Sequence, residues 1–167
     1  MRGFLTRNKQ TREEPEPPGD SPGEPESPYE FTTPWFDDNA RPFWERLIPG
    51  LQLTNVLEIG SYEGASACFL VDSLAYHAPL TLHCIDTWEG GIEHQPGGLA
   101  PVDMDAVEQR FRHNIQTAIE RARHPVDLRV HKGHSDDCLV KLIADGNSGS
   151  LDFIYIDGSH QDRKSVV

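Results

Sequence analysis

The sequence predicts an α/β fold, in which helices flank a doubly wound parallel sheet of about four strands. Three observations support this prediction: strand patterns alternate with helical ones, residues 151–156 are almost continuously apolar, and a glycine-containing turn follows the first strand pattern. An apolar run of that kind is typical of a strand in a parallel sheet. The turn would direct backbone N–H groups and a helix N-terminus into the crevice at the carboxyl ends of the strands, where ligands bind.

The amino-terminal part of the chain divides into a polar tail and an aromatic segment. Residues 1–30 are predicted to be a disordered tail, since Pro, Glu, Gly and Ser dominate 11–29 and cannot offset the ordering entropy. A partial domain is predicted over 31–167. Its first element is a capped helix around Asp37–Asn39 that packs across the sheet. Trp35 either lines a pocket or packs in the core, which is the commoner role of an aromatic at helical spacing.

The remaining elements follow from the apolar patterns. We expect strands at 56–59, 80–86, 126–131 and 151–156, the last of them covered on both faces. Three helices are expected between the strands. The first follows the glycine turn and stops before Pro79, the second covers 103–123, and the third is a short helix that Ser135 caps. The Gly- and Pro-rich connection 88–101 is expected to lie over the active site.

The glycine turn, Glu-Ile-Gly-Ser-Tyr-Glu-Gly-Ala-Ser at 58–66, indicates the kind of ligand. A dinucleotide fingerprint has a second glycine just after the first, which lets a pyrophosphate approach the backbone, and Tyr62 occupies that place here. A bulky residue at this place suits a ligand that presents only a carboxylate to the backbone N–H groups of the turn. Glu58 can then bind an ammonium group of the same ligand. S-adenosylmethionine, with an amino acid, a sulfonium and a nucleoside, meets these demands.

Asp86 ends the second predicted strand and can accept hydrogen bonds from both ribose hydroxyls of a nucleoside. In the dinucleotide fold, an acid about 20 residues beyond the glycine turn does the same. This residue alone therefore does not separate S-adenosylmethionine from NAD. Together with the turn, it narrows the ligand to adenosine-containing cofactors.

Four segments, in order, resemble successive motifs of class I S-adenosylmethionine-dependent methyltransferases. They are the turn 58–66, Ile-Asp-Thr-Trp-Glu-Gly-Gly at 85–91, Lys-Gly-His-Ser at 132–135 and Phe-Ile-Tyr-Ile-Asp-Gly-Ser-His at 153–160. The resemblance covers about residues 31–160. Within the class, the chain is most similar to small bacterial-type enzymes with a Tyr-Ile-Asp-Gly-Ser-His signature. The resemblance implies a Rossmann-like sheet and methyl transfer to a small-molecule acceptor, on an oxygen atom.

The resemblance also implies which residues bind the cofactor. Glu58, Gly60 and Ser61 are implied to contact the methionine part of the cofactor. Gly64 and Ser66 are implied to shape the loop and to start the helix beside it. Those implied for the nucleoside are Asp86 at the ribose and Thr87, Trp88 and Ser135 around the adenine.

Asp157 and His160 are the candidates for chemistry beyond cofactor binding. The resemblance to catechol-type O-methyltransferases implies that Asp157 lies beneath the transferable methyl group and is a ligand of a divalent metal. His160 could take a proton from an acceptor hydroxyl, since an unperturbed imidazole has a pKa of about 6.5. The alternatives are ordinary turn chemistry for Asp157 and a loop hydrogen bond for His160.

Composition excludes several partners. The net charge of −12 argues against a nucleic-acid surface, which needs clustered Lys and Arg. The three cysteines lack metal-ligand spacing and are expected to be reduced and buried. The chain has no apolar run long enough for a signal peptide or a membrane span, so we expect a cytoplasmic protein with no membrane partner.

The polar stretch 161–167 follows the fourth predicted strand, whereas related folds continue into a helix and further strands. We therefore expect the amino-terminal half of a methyltransferase, with an uncovered apolar edge on the fourth strand and self-association through it. Two alternatives to an active methyltransferase stay open. One is a truncated, non-catalytic remnant that at most binds the nucleoside, and the other is an NAD-dependent oxidoreductase, which Tyr62 disfavours.

Overall fold

The structure, a computed structural model, describes residues 27–91 and 101–158. Its strands are β1 (Asn55–Ile59), β2 (Leu80–Asp86), β3 (Val126–Lys132) and β4 (Phe153–Ile156). They form one parallel sheet in the order β3-β2-β1-β4. The predicted α/β, Rossmann-like fold is confirmed, and each predicted strand lies within two residues of the observed one.

The helices in the described ranges are α1 (Trp35–Asn39), α2 (Arg41–Leu47), α3 (Ala65–Leu74), α4 (Met104–Arg121) and α5 (Ser135–Leu142). A 3₁₀ turn at Ile48–Gly50 follows α2, and a π-helical turn at Ile143–Asn147 follows α5. The predicted helices after the glycine turn and over 103–123 are confirmed. The second of these is α4, and the side chain of Asp103 caps it by accepting hydrogen bonds from the backbone of Asp105 and Ala106.

Helices cover both faces of the sheet. On one face, Val56 and Leu82 belong to a large core cluster that includes α3 and α4. On the other face, Leu57 and Ile85 pack against Leu142 of α5 in a smaller cluster. Since strand side chains alternate between faces, the central strands β1 and β2 contribute to both clusters, as in a doubly wound sheet.

The segment before β1 differs from the single capped helix that the sequence predicted. It forms the two short helices α1 and α2, and neither begins with a side chain that caps the helix N–H groups. Pro42 lies in the first turn of α2, where its missing N–H group costs nothing, and this favours a new helix start there. The packing prediction is confirmed, because Trp44 contacts Phe153 and Tyr155 of β4.

Strand β4 is shorter than predicted and is covered on one face only. Phe153 and Tyr155 face Trp44, whereas Ile154 is 51% exposed and Ile156 is 64% exposed. The prediction of a strand buried on both faces was wrong, because α5 packs over β1 and β2 and leaves these isoleucines open. Within the described ranges β4 pairs with β1 alone, so it is an edge strand.

Several sequence predictions fall outside the described residues: the tail over 1–26, most of the connection 88–101, and His160. Contacts with the domain begin before the predicted boundary at residue 31, since the Tyr29 hydroxyl donates a 2.7 Å hydrogen bond to Asp72 on α3. The cysteines are free and buried, as predicted. None of the helices in the described part of the chain combines the length and apolar character that a bilayer crossing requires.

Candidate functional site

The carboxyl ends of β1, β2 and β4 meet at one edge of the sheet. The Gly60 N–H donates to the carbonyl of Ile85, and the Asp157 N–H donates to the carbonyl of Ile59, both at 2.8 Å. Gly60 has a φ of +91°, and a Cβ there would lie 2.6 Å from the carbonyl oxygen of Asp157. Because a Cβ does not fit at that distance, the close approach of the two loops requires glycine at this position.

Glu58, at the carboxyl end of β1, is fully buried. Its Oε1 atom accepts a hydrogen bond from the hydroxyl of Ser66, in the first turn of α3. Its Oε2 atom and the Oγ atom of Ser61 are also buried, and within the described residues neither has a partner with full hydrogen-bond geometry, although Ser61 lies close enough to Glu58 to lower the pKa of its carboxyl group. Since buried polar atoms are almost always paired, these two oxygens mark a place for the donors of a ligand.

Burial raises the pKa of Glu58 to about 7. The hydroxyls of Ser61 and Ser66 oppose this rise, and the negative charges of Asp86 and Asp157 add to it. The carboxyl group is therefore partly protonated near neutral pH. A ligand ammonium beside it would favour the ionised form.

The N-terminal end of α3 adjoins the Glu58 carboxylate through Ser66. Gly64, at the N-cap position, has a φ of +84° and provides no side-chain cap. A Cβ on Gly64 would come within 3.0 Å of the ring of Phe111, so glycine also lets α4 pack closely on this loop. A helix N-terminus without a side-chain cap attracts a carboxylate, which agrees with the ligand that the turn sequence indicated.

Asp86, at the end of β2, joins two loops. Its Oδ2 accepts a 2.9 Å hydrogen bond from the Tyr62 N–H, and its Oδ1 accepts a 2.8 Å bond from the Trp88 N–H. Among the described residues, Tyr62 and Trp88 are the non-glycine residues with positive φ, both at 49°. Such backbone conformations are strained and persist only where their surroundings hold them. Each carboxylate oxygen keeps acceptor capacity for a ligand hydroxyl.

The residues implied for the adenine lie around Asp86. The backbone N–H of Gly133, just before α5, donates to the Asp86 carbonyl at 2.9 Å. Ser135 is the first residue of α5 and is exposed, but the N-cap is His134, so the predicted capping role of Ser135 was wrong. Thr87 is half-buried and accepts a 3.1 Å hydrogen bond from the Glu89 N–H.

The indole of Trp88 is 3% exposed and packs against the ring of Phe111 at 4.9 Å. Its Nε1 donates to the Tyr62 carbonyl at 2.9 Å. In this arrangement the indole has little surface to offer a ligand, and it holds the loop of Tyr62 instead.

Trp35, the first residue of α1, lies beside the glycine turn. Its ring centroid is 5.2 Å from that of Tyr62, and the residue is 53% exposed. The core-packing role that the sequence favoured for Trp35 belongs instead to Phe36 and Trp44, which are both buried. Trp35 is therefore placed to contact a ligand that reaches this loop.

Asp157 directly follows β4 and is exposed. Its Oδ2 accepts a 2.8 Å hydrogen bond from the hydroxyl of Tyr155, and burial together with this bond raises the pKa of Tyr155. Within residues 27–91 and 101–158, no group of three or more His, Cys, Asp or Glu side chains is arranged to hold a metal ion. The metal role of Asp157 and the base role of His160 stay predictions.

A polar cluster beneath the glycine turn was not predicted from the sequence. Glu63 is 2% exposed, and its carboxylate accepts hydrogen bonds from the backbone and hydroxyl of Thr32 and from Nε of Arg110. Asn114 is fully buried and donates to the Glu63 carbonyl at 3.0 Å. The available signal was that Arg110 and Asn114 fall on the apolar face of α4, where polar residues indicate buried hydrogen bonds.

The parallel sheet, with its glycine turn and the acids at its strand ends, defines an α/β domain of the Rossmann-like kind. A family model described as a methyltransferase domain matches residues 57–166, which include Glu58, Asp86 and Asp157. The chain belongs to this methyltransferase family, and the resemblance to class I methyltransferases is confirmed at that level. No curated protein matches the sequence significantly.

Proposed function

We propose that the chain binds S-adenosylmethionine at the carboxyl ends of β1 and β2 and transfers its methyl group to an oxygen of a small molecule. The observation that carries this proposal is the pair of buried oxygens that lack a partner with full hydrogen-bond geometry, Glu58 Oε2 and Ser61 Oγ, beside the first turn of α3 in a methyltransferase-family domain. An amino-acid ligand offers an ammonium to these oxygens and a carboxylate to the helix N-terminus.

Asp86 is proposed to hold the ribose. Its carboxylate already accepts one backbone N–H on each oxygen, which fixes its orientation before a ligand arrives. The remaining lone pairs can accept the two ribose hydroxyls. The adenine would then lie toward Thr87 and the loop before Ser135, because Gly133 bonds to the Asp86 backbone.

When bound, S-adenosylmethionine supplies an electrophilic methyl group on its sulfonium. The chain's contribution would be to place the acceptor and to manage its proton. Asp157 and Tyr155 are proposed to orient the acceptor hydroxyl, since their hydrogen-bonded pair lies next to Gly60 at the end of β4. His160, three residues further on, is proposed to take the acceptor's proton.

The test is a transfer assay with isotopically labelled S-adenosylmethionine and a panel of phenols, catechols and sugar alcohols, with S-adenosylhomocysteine quantified by mass spectrometry. Labelled product that depends on the acceptor supports the proposal, and its abolition by EDTA would assign a metal to the reaction. At a cofactor concentration below saturation, Asp86→Asn should lower transfer roughly 5- to 150-fold, whereas the matched variant Asp127→Asn, at an exposed position on β3, should leave it unchanged.

Two outcomes would favour other functions. Binding of the nucleoside by a folded chain without transfer to any acceptor would support the alternative of a non-catalytic remnant. Enhanced fluorescence of reduced nicotinamide on mixing, with no binding of S-adenosylhomocysteine, would support the NAD-dependent alternative. The side chain of Tyr62 in the turn argues against that second outcome, because it occupies the place of a pyrophosphate-binding glycine.

A further inference from the structure

Glu63 has a different set of partners from the other carboxylates of the turn. It is 2% exposed, and its side chain receives three hydrogen bonds at 2.6–2.7 Å, two from Thr32 and one from Arg110. None of these partners lies on the strands that form the candidate cofactor site. A buried carboxylate is stabilised only when it is paired and hydrogen-bonded, so the position of the Glu63 side chain depends on both partners.

Thr32 belongs to a strap, residues 27–34, that crosses α3 and α4 on its way to α1. The strap is held at two further points: the Tyr29 hydroxyl bonds to Asp72 on α3, and Glu30 exchanges backbone hydrogen bonds with the side chain of Asn114 on α4. Asn114 also donates to the backbone of Glu63. The strap and the turn therefore share two buried polar anchors, Glu63 and Asn114.

The strap leads directly into α1, whose first residue, Trp35, has its ring 5.2 Å from that of Tyr62. Tyr62 is the neighbour of Glu63 in the turn, and its backbone N–H bonds to Asp86. Two successive residues of the turn therefore have different attachments. Tyr62 is bound to the proposed ribose-binding carboxylate, and Glu63 is bound to the strap that delivers Trp35.

We propose that Glu63 is a positioning residue that clamps the strap to the turn, fixes Trp35 against Tyr62 and so makes this ring pair one wall of the cofactor pocket. This inference rests on the proposed function. Its consequence is a coupling between the strap and the cofactor: a ligand that orders the turn stabilises the strap, and loosening the strap weakens ligand binding by the same factor.

Thr32→Val is the sharpest variant, because it removes the hydroxyl that bonds to Glu63 and keeps the size and the backbone N–H of residue 32. We expect it to weaken binding of S-adenosylhomocysteine about 5-fold, the effect of one lost hydrogen bond. Thr32→Ser retains the hydroxyl and should bind as the wild type does. The matched control is Thr117→Val, which removes a hydroxyl bond to the His113 carbonyl within α4.

A second readout tests the clamp itself. Chymotrypsin cleavage at Tyr29 and Phe31 in the strap should be faster in Thr32→Val and Glu63→Gln than in the wild type or Thr117→Val. S-adenosylhomocysteine should slow cleavage at these sites in the wild type, more than in Thr32→Val. Thermal midpoints, measured alongside, would show that each variant is folded at the assay temperature.

The outcomes separate the two proposals. Unchanged affinity and unchanged ligand protection in Thr32→Val, with a wild type that binds, would overturn the positioning role of Glu63 and leave the proposed function standing. A wild type that is folded but does not bind S-adenosylhomocysteine would overturn the proposed function and, with it, the coupling.

Discussion

The carboxylate of Asp86 holds Tyr62 in a left-handed backbone conformation: Oδ2 accepts a 2.9 Å hydrogen bond from the Tyr62 N–H, and the φ of Tyr62 is +49°. The other oxygen holds Trp88, which has the same φ. The residue proposed to bind the ribose is thus also the anchor of both loops beside it. Loss of this carboxylate should therefore affect stability as well as ligand binding.

Asp86→Asn is expected to lower the free energy of unfolding by about 1–3 kcal/mol, because an amide keeps one acceptor oxygen and leaves one buried backbone N–H facing a donor. Urea denaturation measures this change. Asp127→Asn, which removes only an exposed ion pair with Arg129, should cost about 0–1 kcal/mol. Equal losses in the two variants would show that Asp86 does not anchor the loops.

Gly60→Ala is expected to lower the free energy of unfolding by roughly 3 kcal/mol or more, because the new Cβ would lie 2.6 Å from the Asp157 carbonyl oxygen and force the loops apart. Gly149→Ala is the control, since Gly149 has a similar φ of +74° but open space around it. That variant should lose only about 1 kcal/mol, the cost of the left-handed conformation. Similar losses in both would contradict the close approach of the β1 and β4 loops.

The ionisation of Glu58 should make the ligand-free protein less stable as the pH rises. The pKa of Glu58 is raised from 4.5 to about 7, so between these values the folded state binds more protons than the unfolded state. Stability from this group is fully present below pH 4.5 and falls through pH 7, by a total on the order of 3 kcal/mol. Urea denaturation at several pH values should show this contribution as a difference in pH slope between the wild type and Glu58→Gln, because the other titrating groups are common to both.

If Glu58→Gln retained the slope, the assignment to Glu58 would be wrong.

The same ionisation of Glu58 should govern ligand binding in the opposite sense. S-adenosylhomocysteine carries an ammonium that favours the ionised carboxylate, so its affinity should rise with pH between about 6 and 8, the range around the pKa of Glu58. Proton release on binding, measured by calorimetry in buffers of different ionisation enthalpy, provides an independent check.

A stacked pair of histidines on the α5 face of the sheet should cause acid destabilisation. Nδ1 of His83 lies 3.1 Å from Nε2 of His131, and the ring planes differ by 7°. Burial lowers the pKa of both, with further lowering of His83 by His131 and Arg129 and of His131 by Arg129, while Asp127 and Asp145 act in the opposite direction. The folded state therefore binds fewer protons than the unfolded one.

Their contribution to stability should be fully present above the unfolded pKa of about 6.5 and should fall as the pH drops below it. His83→Leu should reduce this fall, since it removes one titrating member of the pair. His77→Gln removes an exposed histidine that lies outside the pair and is the control. Thermal melts between pH 5 and 8 measure how far the midpoint falls as the pH drops. An equal fall in His83→Leu and the wild type would contradict the role of the histidine pair.

The open face and edge of β4 should promote self-association. Ile154 and Ile156 are both more than half exposed on a strand that, among the described residues, pairs on one side only. Replacing both with Thr keeps the strand propensity and removes the apolar surface, so light scattering should show a smaller mean mass than for the wild type. Phe43→Thr, at a 72% exposed position on α2, is the control. A wild type that is monomeric at high concentration would contradict this proposal.

Much of the fold could be predicted because its signals are local. The β-prone run that ends in Asp86 predicted strand β2 at its observed bounds, and the 3.6-residue period over 103–123 predicted α4 to within two residues of its observed ends. The run at 151–156 is different. An apolar run shows that a strand can be buried on both faces but not whether an element covers each face, so the exposure of Ile154 and Ile156 was not predictable.

The candidate site was predictable in its positions but not in its contacts. Glu58 and Asp86 end strands, and a strand end in a parallel sheet implies the ligand crevice. The hydrogen bond between Tyr62 and Asp86 spans 24 positions, and those of Glu63 to Thr32 and Arg110 span 31 and 47. Pairings at such separations depend on how the helices dock on the sheet, which no local pattern encodes.

Calorimetric titration with S-adenosylhomocysteine, on the wild type, Asp86→Asn and Asp127→Asn, tests the central claim most directly. The account predicts that the wild type and Asp127→Asn bind, and that Asp86→Asn loses about 1–3 kcal/mol of binding free energy, or roughly 5- to 150-fold in affinity. A folded wild-type chain that shows no binding, or an Asp86→Asn variant that binds as tightly as the wild type, would contradict it.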